Sequence, residues 1–182
     1  FFGREELGRF RFVTKFTNVD SLLDIKHNEQ TTFRFSINSD IIIRKFEHRT
    51  PPLDERIKAA VKVASAGYPM GFIIGPIFYY TKWQIDYGQM LESLSRQLSG
   101  KISASPAFEL ITHRFTKRAK KNILEVFPKT QLPLDEKDRK FKYGQFGYGK
   151  YIYPNEQMTE MKTFFQEKIR ETFPDAKISY FV

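Results

Sequence analysis

The 182-residue sequence contains no cysteine, which excludes disulfides and thiolate metal centres within the chain. Its three histidines, His27, His48 and His113, are scattered and lack metal-ligand spacing, so no metal ligand is assigned. No apolar run reaches the ~20 residues of a membrane-spanning helix, and no signal-peptide pattern is visible. There is no repeat of ~20–50 residues and no low-complexity linker. No helix opens directly after a G-x-G-x-x-G, so a dinucleotide fingerprint is absent. His113 has no identifiable nucleophile partner, which leaves no Ser-His-Asp arrangement to argue. The chain begins Phe-Phe-Gly without an initiating Met, and a fragment lacking its N-terminal portion is expected.

What is present is apolar, aromatic and basic. Hydrophobic residues make up 41%, which suits a single domain with a sizeable core, and 19 phenylalanines raise the aromatic share to 16%. The formal charge is +9, and residues 111–153 hold eleven Lys and Arg against four Asp and Glu. Such asymmetry favours a polyanionic partner. Within that window residues 139–153, RKFKYGQFGYGKYIY, carry six aromatics, four basic residues, three glycines and no acid. Bases stack on aromatic faces, phosphates sit against Lys and Arg, and Gly144, Gly147 and Gly149 suit a turn between two short strands. Two readings fit: a hairpin that touches nucleic acid, or a sheet edge whose lysines discourage aggregation.

Four β-rich runs stand out at residues 11–16, 32–37, 70–77 and 107–112, and the tail 177–182 reads as one more strand. Helical spacing is seen at 18–26, 53–66 (Ile57, Ala60, Val61, Ala64), 85–98 (Met90, Leu91, Leu94, Leu98), from a Thr116 cap to Phe127, and over 156–173. Residues 129–140 read as a polar loop leading into the hairpin. The alternation predicts parallel β/α units, with MGFIIGPI and AFELIT as strands buried on both faces. Four strong strands are too few to close an eight-unit barrel, so the expected fold is α/β, the half of an open or partial barrel.

In parallel β/α architectures the strand C-termini share one face, where function collects. Thr14 and Lys15, Ser36, Asn38 and Ser39, Gly75 and Tyr79, and His113 and Arg114 fall at those ends. Together they form a polar, net-positive mouth for a zwitterionic or anionic ligand. Singly, Lys15 also reads as a solvated lysine, and 36–38 as a local turn. Gly71 and Gly75 either admit a flat ligand or mark a bend. Arg114, Lys117 and the lysines after them lead into a helix whose N-terminus suits phosphate, or form a solvated basic face. Asp20, Asp24, Asp54, Glu55 and Glu109 are candidates for caps, ion pairs or a barrel-end carboxylate.

One set of runs is unusual in composition. It comprises Gly8-Arg9-Phe10-Arg11-Phe12-Val13-Thr14-Lys15-Phe16, Thr32-Phe33-Arg34-Phe35-Ser36-Ile37-Asn38-Ser39, and Ala66-Gly67-Tyr68 with Gly71-Phe72-Ile73-Ile74. It continues with Phe108-Glu109-Leu110-Ile111, His113-Arg114-Phe115-Thr116-Lys117, Phe127-Pro128-Lys129-Thr130, Gly147, Gly149-Lys150-Tyr151 and Tyr180-Phe181. In this order they resemble the spore photoproduct lyase family of radical S-adenosylmethionine DNA-repair enzymes, over nearly the whole chain. The resemblance implies the C-terminal half of a partial (β/α) TIM-like barrel with an appended β-hairpin and C-terminal helix. Residues 9–130 would supply β/α units, 139–153 a DNA-contacting hairpin and 156–182 a terminal helix and strand. The cluster-binding part, with its Cys-x-x-x-Cys-x-x-Cys motif, would lie before Phe1.

The implied cofactors are S-adenosylmethionine and a [4Fe–4S] cluster whose ligands are not in this chain. The implied reaction forms a 5′-deoxyadenosyl radical and reverts spore photoproduct, 5-thyminyl-5,6-dihydrothymine, to two thymines. Lys15 and Ser36, with Asn38 beside them, would hold the amino-acid end of S-adenosylmethionine, an ammonium suiting a carboxylate. Arg114, Lys117, Lys140, Lys142, Gln145, Phe146 and Lys150 would face DNA, with the hairpin beside a lesion that must be unstacked. The implied partner is damaged double-stranded DNA, with no membrane and no obligate protein partner. The implied setting is the cytoplasm of the spore core, where germination requires ultraviolet damage to be reversed.

The chain departs from the family at the hairpin tip, with Gln145-Phe146 in place of Arg-Tyr. Phe146 stacks but has no phenolic hydrogen, leaving Tyr143 and Tyr148 as conjectural relay residues. The chain alone is expected to be inactive. The alternatives are a non-catalytic nucleic-acid-binding module and a degenerate family member that keeps DNA binding.

Overall fold

The computed structural model describes residues 1–144, 147 and 149–182. Strands β1 (Phe10–Thr14), β2 (Thr31–Ile37), β3 (Met70–Ile77) and β4 (Ala107–Thr112) form successive parallel pairs. A hairpin of β5 (Lys140–Tyr143) and β6 (Gly149–Ile152) follows, and β7 (Lys177–Phe181) completes the main sheet beside β4 in the order β1-β2-β3-β4-β7. The helices are α1 (Asp40–Phe46), α2 (Leu53–Ser65), α3 (Trp83–Leu98), α4 (Lys117–Val126) and α5 (Asn155–Thr172). None of the described helices is long and apolar enough to cross a membrane.

Strand alternation sorts the side chains. Phe33, Phe35 and Ile37 share one face with Phe72, Ile74, Phe108 and Leu110, and all are buried. They pack with Ala60 and Val63 of α2, Leu91 and Leu94 of α3, and Phe165 and Ile169 of α5 in one core. Each fully buried Phe, Leu, Ile or Val among them contributes about 1.5–3 kcal/mol. The other face carries Arg34, Ser36, Ile73 and Glu109. It is partly open, with Val13 44% and Tyr180 40% exposed at its two edges.

The α2, α3 and α5 expectations agree with the structure to within two residues, and the tail forms β7. In α2 the buried stripe takes Val63 where Val61 was expected. Residues 18–26 do not form the expected helix. They hold a single 3-10 turn, Asp20–Leu22, because Leu22 and Leu23 reach the core while Ile25 faces out. The first strand ends at Thr14, short of Phe16, which is 78% exposed. Helix α1 was not foreseen. Its Ile41-Ile42-Ile43 run is β-branched, yet burial of Ile42 and Ile43 outweighs that weak preference. Thr116 caps α4 as expected, its Oγ1 accepting from the Ala119 N–H at 3.0 Å.

Candidate functional site

The C-terminal ends of β1 and β2 meet at an ionic cluster. Lys15 follows Thr14, whose strand partner Phe35 precedes Ser36, so both lie at the same strand end. The Lys15 Nζ donates to Glu47 Oε2 at 2.8 Å, and the same oxygen accepts from Arg56 at 2.8 Å. Arg56 is fully buried. It also donates to the carbonyls of Pro51 (2.8 Å) and Ser36 (3.0 Å) and to Thr50 Oγ1 (2.7 Å). Glu47 Oε1 is buried without a partner among the described residues. Neither Glu47 nor Arg56 was singled out from sequence. Arg56 left one signal, because it sits in the apolar stripe with Ala60 and Val63 at helical spacing.

Asn38, fully buried, braces the same edge from within. Its Nδ2 donates to the Pro76 carbonyl at 2.8 Å, and its Oδ1 accepts from the Ser39 N–H at 3.0 Å and the Tyr87 hydroxyl at 2.9 Å. Its acceptor capacity is thereby committed to the scaffold, joining the ends of β2 and β3 to α3. Ser39 is likewise engaged, its hydroxyl 3.1 Å from that of Tyr80. Tyr79 turns away from the edge and donates to Glu160 of α5 at 2.8 Å.

On the partly open face Arg34 reaches across Gly71 to Glu109 Oε1 at 2.5 Å, and Tyr180 donates to Glu109 Oε2 at 2.7 Å. A Cβ at Gly71 would stand 3.1 Å from Arg34 Cγ, so this glycine admits a side chain from the neighbouring strand. Glu109 is thus an ion-pair carboxylate rather than one placed at the strand end. Burial alone would raise its pKa, but Tyr180, Arg34 and Arg11 together hold it below the usual range.

The hairpin is bolted to the end of β4. Phe115 and Tyr151 exchange backbone hydrogen bonds, with the Phe115 N–H donating at 3.2 Å and the Tyr151 N–H at 2.7 Å. Their rings stack at 5.3 Å, and Phe141 packs edge-on to Tyr151 at 5.1 Å. Arg139 donates to the His113 carbonyl at 2.9 Å, lies 3.1 Å from His113 Nδ1, and covers the Tyr153 ring at 3.6 Å. The Tyr79 N–H donates to the Tyr153 hydroxyl at 3.0 Å, which ties the hairpin to the end of β3 as well.

The basic residues fall into two groups. Lys120 pairs with Glu136 (3.1 Å), Lys121 with Glu125 (3.8 Å), and Lys140 donates to Asn155 (3.2 Å). Lys142 stands directly opposite Lys150 in the hairpin. The Lys150 pKa is lowered, first by burial and then by the charges of Arg114 and Lys142, so three cations crowd together there. Arg114, Lys117, Arg118, Lys142 and Lys150 make no ion pair among the described residues. Tyr143 is 77% exposed at the end of β5. Gln145, Phe146 and Tyr148 lie outside the described residues.

The spore photoproduct lyase family profile matches residues 1–182. Spore photoproduct lyase of Bacillus subtilis (strain 168) is 51% identical over 180 residues, covering 99% of this chain and 53% of the relative. That of Clostridium acetobutylicum is 47% identical over 182 residues, covering 100% and 53%. Among solved structures, spore photoproduct lyase complexed with dinucleoside spore photoproduct superposes with a TM-score of 0.94 at 46% identity, over 100% of this chain and 53% of that one. A doubly substituted spore photoproduct lyase with bound AdoMet and dinucleoside spore photoproduct gives the same values. The chain spans about half the length of the curated relatives it matches. With a profile match along every residue and one shared fold throughout, the chain belongs to the spore photoproduct lyase family.

Proposed function

We propose that this chain supplies the cofactor-carboxylate site and the DNA-contacting hairpin of a radical S-adenosylmethionine lyase that reverts spore photoproduct to two thymines. The observation that carries the reading is the strand edge. An anchored ammonium, Lys15, lies one residue past the Thr14–Phe35 pair, at the same strand end as Ser36, while Arg114, Lys142 and Lys150, which make no ion pair among the described residues, lie on or beside a hairpin bolted to the end of β4. In this reading Lys15 and Ser36 face the amino-acid end of S-adenosylmethionine, and Asn38 holds the strand ends behind them. When bound, the cofactor supplies the hydrogen-abstracting radical of the reaction. The chain has no cysteine, so it offers no thiolate to ligate a cluster.

The partly open sheet face, with Arg34, Ser36, Ile73 and Glu109, is the interior of the partial barrel. Parallel sheets are normally covered on both faces, which supports this assignment. Lys117 at the start of α4 and Lys142 and Lys150 on the hairpin contact phosphate, and Tyr143, exposed at the end of β5, is the described member of the two conjectural relay phenols. The test is repair of dinucleoside spore photoproduct by a full-length protein containing this chain, reconstituted anaerobically with S-adenosylmethionine. Thymine release is expected, and its loss in Lys15→Met together with weaker cofactor binding. Lesion binding without release would assign the chain to the degenerate reading instead.

A further inference from the structure

We infer that Glu47 is the positioning residue of the cofactor site, anchored by buried Arg56 so that it fixes the Lys15 ammonium at the strand edge. The inference rests on the proposed role of Lys15. A fully buried guanidinium requires a partner, and Arg56 is held from several directions by Pro51, Ser36 and Thr50. The carboxylate it grips is therefore fixed as well. Lysine is rich in rotamers, and tying its Nζ to a fixed oxygen at 2.8 Å removes most of that freedom before a ligand arrives. The cluster holds two cations and one carboxylate, which leaves one positive charge. That charge lies outward, because the Lys15 side chain is 35% exposed and that of Glu47 only 8%. One ammonium hydrogen is used on Glu47, and two remain for a ligand carboxylate. Arg56 also grips the Ser36 carbonyl, so a single buried residue sets both cofactor-facing positions.

The experiment is calorimetric binding of S-adenosylmethionine to a full-length protein containing this chain, with Lys15→Met, Glu47→Gln and the double variant, each checked for folding by thermal melting. Each single change is expected to weaken binding by roughly tenfold or more. The double variant should bind no more weakly than Lys15→Met, within about twofold, because Glu47 acts through the lysine. Unchanged binding in Lys15→Met removes the role of Lys15 and this inference with it. Weakened binding in Lys15→Met but not in Glu47→Gln overturns the inference and leaves the role of Lys15 standing. Multiplying losses in the double variant mean that Glu47 supports the fold independently, which also overturns it. Should Glu47→Gln fail to fold, Glu47→Asp keeps the charge opposite Arg56 while shortening the reach to Lys15. The same non-additivity is expected there, and multiplying losses would again refute the positioning role.

Discussion

His113 is kept neutral by its surroundings. Burial, and then the adjacent Arg139 guanidinium, lower its pKa from 6.5 to about 4. The unfolded chain therefore takes up this proton first as pH falls. Stability from this source is intact above about pH 6.5 and is lost between there and about pH 4, by up to on the order of 3 kcal/mol. An NMR titration should place the imidazole midpoint near 4, and His113→Gln should flatten the fall of urea-unfolding stability over that window. A midpoint at or above 6.5 would remove the argument. At Glu109 the expectation is opposite in kind. Replacing it by Gln leaves Arg34 without its counter-charge and should cost about 3–5 kcal/mol by urea unfolding. A loss under ~1 kcal/mol would mean that water already screens the pair.

The hairpin is the element where structure and charge disagree with stability. Lys142 opposite Lys150 is an unfavourable cross-strand pair, with no described acid to relieve it. A bound anion would supply the compensation, as the proposed DNA contact requires. Lys142→Met and Lys150→Met should each lower the salt dependence of binding to lesion-bearing duplex by roughly one unit of log–log slope. Fluorescence anisotropy over a salt series in a full-length protein measures this. An unmoved slope would return the strands to the sheet-edge reading. Docking of the hairpin is a separate matter, resting on Arg139. Arg139→Met should raise amide exchange in β5 and β6 about tenfold or more, while β2 and β3 stay protected. Equal effects on both sheets would show that Arg139 supports the core instead.

At the scale of the whole molecule, the chain on its own should take up no iron–sulfur cluster, since cluster ligation needs thiolates. Anaerobic reconstitution that gave stoichiometric iron and sulfide with charge-transfer absorption would overturn this. By itself the sequence determined the parallel β/α order, the buried stripe of α3, the span of α5, the Thr116 cap and the pairing of the two short strands 140–143 and 149–152, because these follow from periodicity and turn chemistry within a few residues. Its long, unusual runs also determined the family. The tertiary structure decided what depends on distant neighbours. Residues 18–26 lost their helix because the core claimed Leu22 and Leu23, and α1 formed because Ile42 and Ile43 found burial. The pairs Lys15–Glu47, Arg34–Glu109 and Tyr180–Glu109 join residues 32, 75 and 71 positions apart. No local pattern encodes such pairs, since they exist only once strands and helices distant in sequence have been brought side by side.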